Sequence, residues 1–193
     1  ETRYDYWKTV QACFEENYLK PCHDWCEGKG LAFTGHLHES AWPRPTQQPS
    51  TMAALRWMQA PGNDLLGFQF KPTSLAENGI YLLNLRELDS VKRQCGRGHS
   101  LVETCGGGGY DSTPADFKPL EDFVLWSGVN VINPHLAHQS LAGARKYDWP
   151  QTISDHAPWW RGYREHADHV ARVNALLRDR KSTRLNSSHY RTS

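Results

Sequence analysis

The sequence predicts an α/β protein in which helices pack on a parallel sheet, and three observations carry that expectation. Helical and strand-like stretches alternate strictly along the chain. One strand candidate, Leu31 to Gly35, is a short apolar run of the kind seen in a strand buried on both faces. The stretches after the strands are long and rich in Gly, Pro, His and Trp, whereas those before them are short. In a βα barrel that asymmetry marks the active-site face. The chain has 193 residues, whereas a complete parallel βα barrel needs about 250. The pattern therefore predicts a partial (β/α)8, TIM-like barrel of about four βα units belonging to a larger parent. A half barrel standing alone would leave two open parallel edges.

Taken in order, residues 3–29 read as helix, with Trp7, Val10, Phe14 and Tyr18 at the spacing of a buried stripe. Pro21 predicts a break, followed by a short second helix with Trp25 inward and Gly28 and Gly30 at its end. Leu31-Ala32-Phe33-Thr34-Gly35 reads as a buried strand, and 36–50, with Pro43, Pro45 and Pro49, as a loop. Residues 51–57 read as one or two helical turns. A short strand is expected over 56–60, ahead of a Pro61-Gly62 turn. Residues 80–95 are helical, with Leu82, Leu85, Leu88 and Val91 on one side. Ser100 to Thr104 is a strand candidate, followed by the glycine run 106–109. Thr113-Pro114 opens a helix with proline in its first turn, and Gly128 stops it. Val129 to Ile132 is a strand, and the final helix is expected from about Pro158 to Arg178.

These elements make residues 1–180 the barrel domain. Residues 181–193, KSTRLNSSHYRTS, carry almost no apolar content and no periodicity. They read as a disordered tail, and KSTRLNSSH resembles translated sequencing-adapter read-through.

Composition excludes several function classes. The formal net charge is +1, with no basic block before the tail, so nothing predicts a nucleic-acid partner. No apolar run approaches a membrane span. Five cysteines leave at least one unpaired, and Cys22 and Cys26 form a CxxxC rather than a zinc-knuckle or redox CxxC. They read as small buried thiols. There is no nucleophile elbow, P-loop or dinucleotide fingerprint. Eight Trp, eight Tyr and ten His are many for this length. Flat aromatic faces beside polar groups suit a sugar ring, although Trp also fills cores.

Two glutamates stand where such a barrel would hold catalytic groups. Glu39 follows the strand 31–35, and Glu103 lies at the end of the strand 100–104. A protonated carboxyl facing an ionised one is the basic machinery of glycoside hydrolysis. His36, His38, His99 and His135 lie near strand ends. They can bind sugar hydroxyls or hold a carboxylate, or be satisfied by local hydrogen bonds. Asn133 and His135 form the candidate pocket pair. Trp42, Trp149, Trp159 and Trp160 are candidates for a stacking wall, with Trp159-Trp160 equally readable as the start of a docking helix. Asp64 reads as an N-cap or a ligand, and Arg145 and Lys146 as substrate contacts or a solvated loop edge.

The segments GHLHESAWP and QAPGNDLL, then KRQCGRGHSLVETCGGGGYD, DFKPLEDFVLWSGVNVINPHLAHQSLAGARKYDWP and PWWRGY, occur in an order that resembles glycoside hydrolase family 106, the α-L-rhamnosidases. The similarity spans most of residues 1–179 and is strongest over 92–163. It implies inverting cleavage of α-L-rhamnosides, with Glu39 as general acid and Glu103 as general base, and a rhamnose-containing glycan as partner. Inversion sets the two carboxyls about 6.5–9.5 Å apart, leaving room for water. The plain run 106–109 departs from the family pattern and predicts a looser loop beside Glu103. No cofactor motif is evident. Calcium is the one ion left open, as an aid to orienting the sugar. A secreted or periplasmic parent is what the resemblance implies, and oligomeric state is unconstrained.

Two rival readings remain. His36-x-His38 with His99 and His135 resembles the ligand layout of metal-dependent amidohydrolase barrels, without that family's late aspartate. Aromatic loops lacking a working carboxylate pair would instead make a non-catalytic carbohydrate-binding piece.

Overall fold

The structure is a computed structural model that describes residues 1–37, 50–65, 70, 79–147 and 149–185, with side chains as far as residue 178. Among these residues four strands form one sheet in the order β1-β2-β3-β4. They are β1 (Thr34–Gly35), β2 (Ala60–Leu65), β3 (Leu101–Thr104) and β4 (Val131–Pro134), and every neighbouring pair is parallel. Helices occupy the connections: α3 (Thr51–Leu55) between β1 and β2, α4 (Gly79–Gln94) between β2 and β3, and α5 (Pro114–Trp126) between β3 and β4. A mixed helix–strand chain with a sequential parallel sheet is the expected α/β class.

The amino-terminal segment departs from the expected break at Pro21. Helix α1 (Thr2–Phe14) runs through a π turn (Glu15–Leu19) into α2 (Lys20–Gly28). Proline has no N–H and its ring crowds the preceding turn. The wide turn shifts the hydrogen-bond register just before Pro21, so the helix continues. It also hands the inward position to Leu19, which is fully buried, and leaves Tyr18 exposed. Trp25 points outward rather than inward. His23 turns in instead, its Nδ1 2.8 Å from the Trp57 carbonyl oxygen. Glu15 is buried and takes hydrogen bonds from Gln11 Nε2 at 2.7 Å, the Arg56 guanidinium at 2.5 Å and Trp57 Nε1 at 2.9 Å.

β1 is shorter than the apolar run 31–35 predicts. The Leu31 N–H is committed to the Cys26 carbonyl at 2.9 Å and the Gly30 N–H to that of Glu27 at 3.1 Å. With Gly30 at φ +67°, this is a Schellman cap. Leu31 therefore ends a helix rather than starting a strand.

The expected Pro61-Gly62 turn is a strand. The Ala60 N–H reaches back to the Phe33 carbonyl at 3.2 Å, so the missing N–H of Pro61 falls on the other side. There the pairing with β3 starts only at Gly62, opposite Leu101. The start of a ladder, where no N–H is yet called for, is where a strand tolerates proline.

The remaining elements follow the sequence closely. Leu85, Leu88 and Val91 of α4 and Phe117, Leu120 and Val124 of α5 pack with Leu65 and Val102 in the core. The Asp116 carboxylate accepts both the N–H and the hydroxyl of Thr113 at 2.8 Å, fixing the start of α5. Helix α6 (Tyr163–Leu185) packs against α5 and runs past the expected Arg178. The five cysteines are free, and only Cys105 is buried; Cys22 and Cys26, expected as buried thiols, are half-buried, and Cys13 and Cys95 are exposed.

Candidate active site at the carboxyl edge of the sheet

Glu103 organises the site. Alternation along β3 sends Val102 and Thr104, both fully buried, toward the helices, and Glu103 to the opposite face. In-register pairing places Asp64 of β2 on one side of Glu103 and Asn133 of β4 on the other. His36, just after β1, sets Nε2 3.3 Å from one Glu103 oxygen. His135, just after β4, sets Nε2 3.8 Å from the other oxygen. The Glu103 side chain is 20% exposed and that of His135 17%, so the carboxylate is partly shielded yet reachable. Four strand ends thus converge on one carboxylate.

His36, Asp64 and Glu103 also offer ligand atoms that all lie within 4.8 Å of one another. An imidazole and two carboxylates so close can share a proton, a hydrogen-bonded sugar hydroxyl or a cation. Asp64 is therefore a site residue on a strand and not the N-cap of a helix. Reading Pro-Gly as a turn hid it. Its place at the carboxyl end of a strand is the signal that would have found it.

Other sequence candidates fall elsewhere. His38, Glu39 and Trp42 lie outside the described residues, so the Glu39–Glu103 separation is not part of this geometry. His99 is exposed at the amino end of β3, two residues before Leu101, and stands away from the group around Glu103. Trp149 is 51% exposed with φ +44°. It precedes Pro150, whose carbonyl accepts the Gly109 N–H at 2.6 Å. That bond, together with Gly108 N–H to the Cys105 carbonyl at 3.2 Å, pins the glycine run. A Cβ at Gly108 would meet Ser112 Oγ at 2.7 Å and Gln151 Oε1 at 2.8 Å. The run is plain because it is closely packed, not loose.

Trp159 docks α6. Its ring meets Phe117 edge-on at 5.5 Å and its Nε1 donates to the Ser112 carbonyl at 2.9 Å. Trp160 stacks on Tyr163 at 5.6 Å, so neither ring forms a wall at Glu103. Arg145 and Lys146 lie exposed on a 3-10 turn (Gly143–Tyr147), with Lys146 over the Tyr147 ring at 5.4 Å. They form a solvated edge.

Fold and site together define an α/β protein with a carboxylate–imidazole cluster at the carboxyl edge of a parallel sheet. No protein-family model matches the chain, and no curated protein matches it. Among solved structures it is similar to the rhamnosidase from Novosphingobium sp. PP1Y, with a TM-score of 0.70 and 21% identity. That match covers 90% of this chain and 17% of the rhamnosidase. At this identity the likeness shows a shared fold. No described helix is long and apolar enough to cross a membrane.

Proposed function

We propose that the chain is the catalytic-site portion of a family 106 glycoside hydrolase, a partial βα barrel that acts on α-L-rhamnosides of a glycan with inversion. The observation that carries this is the convergence of His36, Asp64, Asn133 and His135 on Glu103. Glu103 is the general base. His36 and His135 flank its two oxygens and hold it ready to take a proton from water. Asn133, exposed beside it, offers an amide to a sugar hydroxyl. Glu39 is the general acid that protonates the leaving oxygen. The rhamnosidase of the same fold supports a carbohydrate substrate.

The test is a titration of the intact chain with L-rhamnose, followed through the imidazole resonances of His36 and His135, beside an assay with an aryl α-L-rhamnoside. The expected result is perturbation of both rings, with the β-anomer as first product wherever hydrolysis occurs. A titration that leaves both rings unmoved removes this pocket from sugar binding.

A second reading is favoured by the His36, Asp64 and Glu103 group. One imidazole and two carboxylates suit a borderline ion such as zinc. They fit calcium less well, since calcium takes six to eight oxygen ligands. On this reading the chain belongs to a metal-dependent hydrolase, with a ligand set different from the histidine-only one the sequence offers. Stoichiometric zinc retained after dialysis, and lost in Asp64→Ala, would favour it over the glycosidase.

A further inference from the structure

Behind the sheet, on the face turned away from Glu103, lies a polar cluster that the proposed reaction does not use. Glu121 of α5 is 1% exposed and His166 of α6 is 7% exposed. His166 Nε2 lies 2.7 Å from Glu121 Oε2. A carboxylate this deep needs its oxygens occupied by partners. Its other oxygen, Oε1, accepts the Thr104 hydroxyl at 3.3 Å and faces Cys105 Sγ at 4.0 Å. Burial and then the Glu121 charge push the Cys105 thiol far up, so it faces that carboxylate as a neutral donor.

Thr104 connects this cluster to the site. It follows Glu103 directly and, by strand alternation, points its side chain to the opposite face. Its carbonyl accepts the His135 N–H at 2.8 Å. The His135 carbonyl in turn accepts Gln151 Nε2 at 2.5 Å, from a side chain that is 1% exposed. Both backbone groups of His135 are therefore held, one of them by a residue anchored on Glu121. Immediately after Thr104 the chain turns through Cys105 at φ +72°, a conformation that non-glycine residues adopt at a cost. Contacts on the Thr104 and Cys105 side chains hold that turn in place.

We propose that the buried Glu121–His166 pair is a positioning device for the site: it fixes Thr104, and through the Thr104 carbonyl it fixes His135 against Glu103. The proposal rests on the reading of Glu103 and His135 as one site. Neither Glu121 nor His166 touches substrate, so both are positioning residues. Their effect is on the orientation of an imidazole on the other face of the sheet.

The test reads the His135 ring nitrogens in the intact chain by long-range proton–nitrogen correlation, with the melting temperature recorded beside it. At 3.8 Å the Glu103 oxygen lies beyond hydrogen-bond distance of Nε2, but the negative charge of the carboxylate favours a proton on the ring nitrogen that faces it, so one tautomer is expected to predominate in the parent chain. Glu103→Ala is expected to abolish that single-tautomer pattern. Glu121→Gln and Thr104→Val are expected to abolish it too, whereas Thr104→Ser, which keeps the hydroxyl, retains it. If Glu121→Gln does not fold, Thr104→Val decides, because it removes one hydroxyl and keeps the shape. A Thr104→Val chain that melts lower yet keeps the parent pattern overturns the proposal and leaves the pair as a structural tie. A Glu103→Ala chain that keeps the pattern breaks the pairing of His135 with Glu103, and the site reading falls first, taking the proposal with it.

Discussion

Gly62 of β2 lies so close to Gly35 of β1 that a Cβ at position 62 would sit 2.3 Å from the Gly35 carbonyl oxygen. A second backbone oxygen, that of Leu101 on β3, would be 3.3 Å away. Backbone cannot rotate aside as a side chain does, so the sheet would have to part. Gly62→Ala is expected to destabilise the fold by at least the roughly 1–3 kcal/mol of ordinary overpacking. A shift in denaturant midpoint measures this, with Gly79→Ala, which meets nothing within 4 Å, as the control. Equal midpoints for the two variants would place β1 and β2 further apart than described.

The same glycine shows why part of the fold was legible and part was not. Pro-Gly is a strong local turn signal, yet it is overruled here by the pairing of β2 between two parallel neighbours. No local pattern records that pairing. Asp64 was lost with it. Elements whose signals are local came through: the Thr113 start of α5, its Gly128 stop, and the Leu85–Leu88–Val91 stripe of α4. Glu103 and His135 were legible because a carboxyl strand end is a position that sequence can mark. Glu121 and His166 were not. Each sits in a helix, and only tertiary packing brings them together across 45 positions. A glutamate between Leu120 and Val124 on an apolar face was the available hint.

Glu103→Gln keeps the side chain's shape and removes its capacity to take a proton. In any form of the protein that hydrolyses rhamnosides, it is expected to lower kcat by about a hundred- to ten-thousand-fold, the usual worth of a general base. The melting temperature should stay close to that of the parent. Glu39→Gln should do the same to substrates with poor leaving groups and less to activated aryl glycosides, which need little protonation. Full activity in either variant removes that residue from the mechanism.

Leu88 is fully buried at the centre of the layer between α4 and the sheet. Leu88→Ala should cost about 2–5 kcal/mol, through lost burial and the cavity left behind. Leu82, on the same helix but only half-buried, should cost visibly less on the same change. A chemical denaturation series on the two variants checks the order, and a reversed order would mean that α4 is rotated from the face described.

Glu15 gives the chain an acid-sensitive contact far from the site. Burial alone pushes its carboxyl up, but hydrogen bonds from Gln11, Trp57 and Arg56, together with the Arg56 charge, outweigh burial and leave it below its ordinary range. A carboxyl whose pKa is lowered by folding adds stability that is fully present above its unfolded value of about 4.3. That stability is lost as pH falls from there through the folded value. Glu15→Gln keeps the shape and removes the charge, so it should lower the denaturant midpoint at neutral pH. The parent and the variant should then converge as the pH is taken below the carboxylate range, where Glu15 is protonated in both folded and unfolded chains. Midpoints measured at several pH values between neutral and acid decide the matter. A gap that stays constant with pH would assign the effect of Glu15 to shape and hydrogen bonding rather than to its charge. A gap that widens toward acid would reverse the sign and contradict the arrangement of Gln11, Arg56 and Trp57 around it.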